Sequence, residues 1–116
     1  MNIEDIQSIC REFPSVTQNI KWGHDLTFSI GGKMFCVVVL DEFPTNVSFK
    51  VSDEEFEEMS NWPGFKPAPY VAKYKWVLIE DVSKMKKSDW QKYLKQSYDL
   101  VKQKLPNKIK KQLGLV

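Results

Sequence analysis

Apolar positions recur along this chain with two different periods. In residues 2–13, Ile3, Ile6, Ile9, Cys10 and Phe13 fall three and four apart, which predicts a helix with one apolar face, ended by Pro14. At Asp25 the period becomes two. Leu26, Phe28 and Ile30 alternate with Asp25, Thr27 and Ser29, the pattern of a half-buried strand. Gly31-Gly32 separates this run from a second, Lys33 to Leu40, and predicts a two-residue hairpin turn whose central residues both take positive φ. Closing that turn sets Ile30 opposite Lys33, Phe28 opposite Phe35 and Leu26 opposite Val37. The core face is then Leu26, Phe28, Ile30, Phe35, Val37 and Val39, and a one-residue slip would bury Asp25 instead. Thr17 to Trp22 reads as a preceding strand that bends at Gly23.

Alternation returns in Asn46 to Val51, with Val47, Phe49 and Val51 on one face. Ser52 and Glu55 then form a capping box, in which each side chain satisfies a backbone N–H left free at a helix start, with Val51 and Phe56 placed as a hydrophobic staple. A short helix over 53–60 follows. The segment NWPGFKPAP, residues 61–69, reads as an irregular loop, and Lys73 to Glu80 as a strand buried on both faces. Ser88, with Gln91 three positions on, is the expected cap of a long final helix whose stripe is Trp90, Tyr93, Leu94, Tyr98, Val101 and Leu105. Pro106 interrupts it, and Gly114 suits a terminal C-cap. The predicted architecture is α+β: an antiparallel sheet packed on helices, with an N-terminal helix and a long C-terminal helix, in one domain over residues 1–116.

Composition narrows the functional classes. A chain of 116 residues with 42% hydrophobic and 28% charged residues is of ordinary globular type. The acidic N-terminus is no signal peptide, and the longest apolar run, Met34 to Leu40, is far short of the roughly 20 residues a membrane helix needs. Cys10 and Cys36 lie inside apolar patterns and read as reduced core thiols, which points to a cytoplasmic setting. The net charge of +2 hides a division. Residues 1–83 carry 7 Lys/Arg against 13 Asp/Glu, whereas residues 84–116 carry 10 Lys against 2 Asp.

Candidate chemistry is sparse. His24 is the single histidine, so any Ser-His-Asp or Cys-His scheme depends on it, and its plainer reading is a turn residue. Gly31-Gly32-Lys33 joins two strands and lacks the spacing of a phosphate loop. The pairs Asp41-Glu42 and Glu80-Asp81 point apart on a strand, and the carboxylates of residues 53–58 suit a helix N-terminus. No catalytic residue, metal site or cofactor is assigned. The lysines offer more. On a helix, Lys92, Lys95 and Lys102 lie opposite the apolar stripe, Asp99 offsets part of their charge, and other lysines flank them at both ends. The alternative is a lysine-rich solvated face. All ten C-terminal cations are Lys, so contact with phosphates fits better than the bidentate base reading at which Arg excels. Between Trp62 and Trp76, aromatic and basic residues interleave, a pattern that suits either base stacking or packing on a sheet edge.

Four ordered stretches carry a likeness: IKWGHDLTFSIGGKMF from Ile20, VSFKVSDEEFEEM from Val47, PGFKPAPYVAKYKWVLIED from Pro63 and SYDLVKQKLPNKIKKQLG from Ser97. Together they resemble the MmcQ/YjbR family of small bacterial proteins. The resemblance implies a CyaY-like α+β fold and the family's customary label of DNA binding. Its frataxin-like analogy would suggest iron on acidic helix residues, on fold alone. Residues matching its motifs include Trp22, Gly23, His24, Lys50, Pro69, Tyr70, Lys75 and Trp76. The leading expectation is a non-enzymatic protein that contacts DNA nonspecifically through Lys86, Lys87, Lys92, Lys95, Lys108, Lys110 and Lys111, with Lys73 and Lys75 added if the sheet edge lies on the same side. The alternative is a protein- or small-ligand-binding module with Trp22, His24, Lys50, Tyr70 and Trp76 around an aromatic cleft. An enzyme using His24 ranks third.

Overall fold

A computed structural model describes residues 1–115. Helix α1 (Ile3–Arg11) starts at a capping box in which Asn2 and Asp5 bond each other's backbone N–H. Four strands follow: β1 (Val16–Lys21), β2 (Asp25–Ile30), β3 (Lys33–Val39) and β4 (Asn46–Lys50). Helix α2 (Asp53–Met59), strands β5 (Phe65–Pro67) and β6 (Trp76–Ile79), and helices α3 (Lys87–Gln103) and α4 (Asn107–Gln112) complete the chain. The sheet runs β1-β2-β3-β4-β6-β5, with every pair antiparallel. The α+β architecture, the Ser52–Glu55 capping box and the stripe of α3 are as the sequence predicts.

All four helices serve one face of the sheet. The stripe of α3 packs on β3 and β4, α1 sits beside it, and α2 lies against β5 and β6. Phe28, Ile30, Phe35, Phe49, Trp90, Leu94 and Tyr98 form the centre of this core. Antiparallel sheets commonly leave their other face to solvent; here no helix among the described residues covers it, and Val37, Val39 and Ser48 are partly exposed there while Thr27, Ser29 and Trp76 on the same side are buried.

Several expectations are corrected. The Gly31-Gly32 turn closes as predicted, with φ of 58° and 81° and Ile30 opposite Lys33. The register then shifts between Phe28 and Ser29: Ser29 faces Met34, but Phe28 faces Cys36 and Leu26 faces Val38. Phe35 is the extra residue of a β-bulge, and beyond it the two faces of β3 exchange. Cys36 and Val38 are fully buried in the core, while Val37 and Val39 turn to the open face and are only partly buried. The predicted strand from Lys73 begins only at Trp76. Ala72–Tyr74 form a 3-10 turn, and Lys75 takes a left-handed φ of 66°. Part of the expected loop 61–69 is edge strand β5, where Pro67 is tolerated because its missing N–H faces no neighbour. The long helix starts at Lys87 with Lys86 as N-cap, not at Ser88. Trp90 decides this: its backbone N–H bonds Lys86 O and its indole N–H bonds the buried Val82 carbonyl at 2.9 Å. Gly114, with φ of 70°, ends α4 as expected, the Leu115 N–H reaching back to Lys110 O at 2.8 Å.

Candidate functional site

The open face holds a cavity of about 550 Å³. Its floor consists of side chains that the strand alternation sends away from the helices: Met34, Val37 and Val39 on β3, Ser48 on β4, and Trp76 and Leu78 on β6. The bulge at Phe35 decides which side chains these are, because it turns Val37 and Val39 outward where an unbroken register would present Cys36 and Val38. Trp76 is only 6% exposed despite lying on the open face, so the surrounding walls cover it.

Two turns raise those walls. The β1–β2 turn presents Trp22 and His24, and the segment after β5 presents Pro69, Tyr70 and Val71. Trp22 is 69% and Tyr70 97% exposed, and both carry positive φ, 54° and 68°. Non-glycine residues reach the left-handed region at a cost of roughly 1–2 kcal/mol, and such residues concentrate at functional sites. Here the strained backbone is spent on holding two large rings at the rim, where they bury little surface of their own.

The polar groups of the cavity are largely acidic. Asp25 at the start of β2, and Asp41 and Glu42 in the β3–β4 connection, join His24 in its lining, and no Lys or Arg lines it among the described residues. His24 Nε2 stands 3.3 Å from Asp25 Oδ1, close enough for an ion pair when the ring is protonated. The angle makes no hydrogen bond, and Asp25 Oδ1 is shielded from solvent with no hydrogen-bond partner.

Four of the five predicted cleft residues, Trp22, His24, Tyr70 and Trp76, therefore meet around one cavity. Lys50 stands apart from its lining. It pairs with Trp76 across β4 and β6, and its Nζ donates to the carbonyl of Tyr74. Burial pushes the Lys50 ammonium below the usual lysine range, nearby Lys104 and Lys75 push the same way, and Asp53 opposes them.

The predicted cationic residues are spread over several elements. Lys86 and Lys87 stand exposed at the start of α3, Lys92 and Lys95 lie on its outer face, and Lys108, Lys110 and Lys111 belong to α4. Lys95 is engaged with Asp99 at 2.8 Å, and Lys110 Nζ donates to the Gln103 carbonyl at 3.1 Å. Lys73 sits on the 3-10 turn over the Tyr74 ring, and the Lys75 ammonium lies 5.1 Å from the Phe56 ring centroid, toward α2. The aromatic segment divides as well. Trp62 and Phe65 pack edge to face at 5.3 Å against the core, and Tyr70 and Tyr74 are exposed. Among the described residues no cluster of three His, Cys, Asp or Glu has metal-binding geometry. Cys10 and Cys36 are buried and unbridged, and burial, reinforced by Cys10, pushes the Cys36 thiol well above its ordinary pKa. No helix among the described residues is long and apolar enough to cross a membrane.

Residue by residue, the sequence reading finds Trp76 but not the rest of the floor, and it does not assign Asp25, Asp41 or Glu42 to the site. An alternation that breaks inside MFCVVVL gives no local sign of its phase, since every position in that run is apolar.

This fold belongs to a known class of small α+β domains. The YjbR family model matches residues 11–100, and the chain is a member of the YjbR family. Among solved structures it is similar to the Deinococcus radiodurans protein DR2400, assigned to a domain family of unknown function, with a TM-score of 0.88 and 24% identity over 99% of this chain and 89% of that one. It is also similar to a Pseudomonas syringae protein solved as a structural-genomics target, with a TM-score of 0.73 and 14% identity over 87% of this chain and 99% of that one. At these identities the likeness is one of fold. No curated protein gives a significant match.

Proposed function

We propose that this protein is a small-ligand-binding module whose site is the open face of the sheet. One observation carries the reading: residues from β2, β3, β4, β6 and three separate loops converge on a single cavity of about 550 Å³, with an apolar floor and a few polar groups at its edge. That size and mixture are typical of small-molecule sites. Strained backbone at Trp22 and Tyr70 supports it, because packing alone gives no return for exposing these rings. Backbone amide NMR of the labelled protein, titrated with a set of small anionic, neutral and cationic fragments, tests it. Shifts centred on Trp22, His24, Tyr70 and Val39 are the expected result. Fragments that bind only elsewhere, or none that bind, overturn it.

A second reading is nonspecific DNA binding through phosphates. It is supported by the exposed Lys86, Lys87, Lys92, Lys108 and Lys111, none of which is in an ion pair among the described residues. These lysines lie on α3 and α4, across the sheet from the cavity, so the two readings have separable tests.

A further inference from the structure

The cavity carries an unbalanced charge pattern. Asp25, Asp41 and Glu42 line it, no Lys or Arg does so among the described residues, and three aromatic rings, Trp22, Tyr70 and Trp76, stand around the same space. Three lysines pair across strands with lining residues, Lys21 with Asp25, Lys50 with Trp76 and Lys66 with Leu78, but none lines the cavity; Lys50 Nζ donates to the Tyr74 carbonyl and Lys66 Nζ lies 3.8 Å from Glu80. The one cationic candidate in the lining is His24, beside Asp25.

Asp25 lines the cavity with its Oδ1 shielded against His24, so the carboxylate acts on the cavity through its negative charge, which is felt more strongly in a partly enclosed site than in bulk water. The faces of Trp and Tyr rings attract cations, most strongly where water is excluded. A ligand that satisfies both features carries positive charge on an apolar stem. An anion placed in the same space would meet three carboxylates and the negative faces of the rings.

We infer that the open-face cavity takes an organic cation, an ammonium or guanidinium group on a short apolar stem. The inference rests on the small-ligand reading and specifies its substrate class. The stem lies over the valines of β3, the cationic head lies among the rings within the field of the Asp25 carboxylate, and Asp41 and Glu42 hold the mouth at negative potential. A free amine and the side chain of a basic peptide share this chemistry.

Isothermal titration and tryptophan fluorescence with four probes of similar shape test it: butylammonium, butylguanidinium, 1-pentanol and pentanoate. Both cations are expected to bind, with the alcohol about tenfold or more weaker, the range for a cation against aromatic faces where water is excluded, and pentanoate weaker still. The double variant Asp41→Asn/Glu42→Gln, altered only in an exposed loop, folds as the parent does and is expected to lose part of the cation preference. Asp25→Asn is expected to lose most of it, with circular dichroism reporting its fold. A short lysine-containing peptide, compared with butylammonium, distinguishes the two sources: tighter peptide binding assigns a protein partner, equal binding a free amine. Preference for pentanol or pentanoate overturns the cation assignment and leaves the ligand site standing. Absence of binding by all four probes overturns both.

Discussion

Ser97 Oγ donates to the carbonyl of Phe35 at 2.6 Å and lies fully buried at the middle of α3. Phe35 is the bulged residue, and its carbonyl would otherwise lack a strand partner. The same hydroxyl accepts the backbone N–H of Lys50 at 2.9 Å, so one side chain secures both β3 and β4 to the helix. Removing it strands a buried acceptor and a donor together. Ser97→Ala is expected to cost about 1–3 kcal/mol, measured by urea unfolding. A loss below about 0.5 kcal/mol would show that the bulge is held by other means.

The exchange of faces beyond the bulge has a direct mutational signature. Val38 is fully buried among the helices, whereas its neighbour Val37 lines the open cavity. Val38→Ala is expected to destabilise by about 2 kcal/mol, from lost transfer energy and the cavity left behind. Val37→Ala is expected to cost under about 1 kcal/mol, and to weaken ligand binding. Equal costs in a denaturant series would contradict the observed register.

Tyr70 combines a left-handed backbone with almost complete exposure. Glycine adopts that conformation freely, at the cost of a more flexible unfolded chain. Tyr70→Gly is therefore expected to leave the melting temperature unchanged or slightly raised, and to reduce affinity for any ligand of the cavity. A clear drop in melting temperature would mean that the ring supports the fold.

Alkaline pH should destabilise this domain through its buried tyrosines. Burial pushes the Tyr98 phenol up from its ordinary pKa, with Asp99 adding to the effect, and its hydroxyl donates to the Pro14 carbonyl at 2.7 Å. The folded chain thus keeps a proton that the unfolded chain releases near pH 10. Its stabilising contribution is complete below about pH 10 and declines as pH rises toward the raised folded value. Burial shifts Tyr93 the same way. Stability measured from pH 8 to 11 should fall, with a shallower slope in Tyr98→Phe. Parallel slopes would argue against this assignment.

For the DNA reading, phosphate contacts release counterions, so log affinity must fall linearly with log salt. Lys86→Glu/Lys87→Glu and Lys108→Glu/Lys111→Glu should each flatten that line for a random duplex, leaving cation binding at the cavity unchanged. No duplex binding at low salt, or a slope indifferent to these changes, removes the second reading.

Much of this architecture could be read from local pattern. The stripe of α3, the Gly31-Gly32 turn and the Ser52–Glu55 box each depend on residues within a few positions of one another, where spacing determines geometry. The site was legible only in part. Trp22, His24, Tyr70 and Trp76 stand out by residue type, but the floor they share is set by the bulge, whose carbonyl is bonded by Ser97, 62 residues beyond Phe35. Phe35 and Cys36 are both apolar, so either phase of β3 satisfies the same hydrophobic pattern. Ser88 misleads for a similar reason: a good local cap is overridden by the bond that fixes Trp90 to Val82. Charge counting also had limits, since it located the lysines along the chain and not the acidic mouth across the sheet.

The hairpin tip has one more property. A side-chain carbon at Gly31 would come within 2.8 Å of Leu105 and 3.0 Å of Ile109, so the tip has the bare surface on which the C-terminal segment seats. About seventy residues separate Gly31 from Leu105. At roughly 5–20 residues per second of synthesis, the ribosome completes the hairpin several seconds before it delivers the cover. During that interval the hairpin tip lacks the apolar cover that Leu105 and Ile109 later give it.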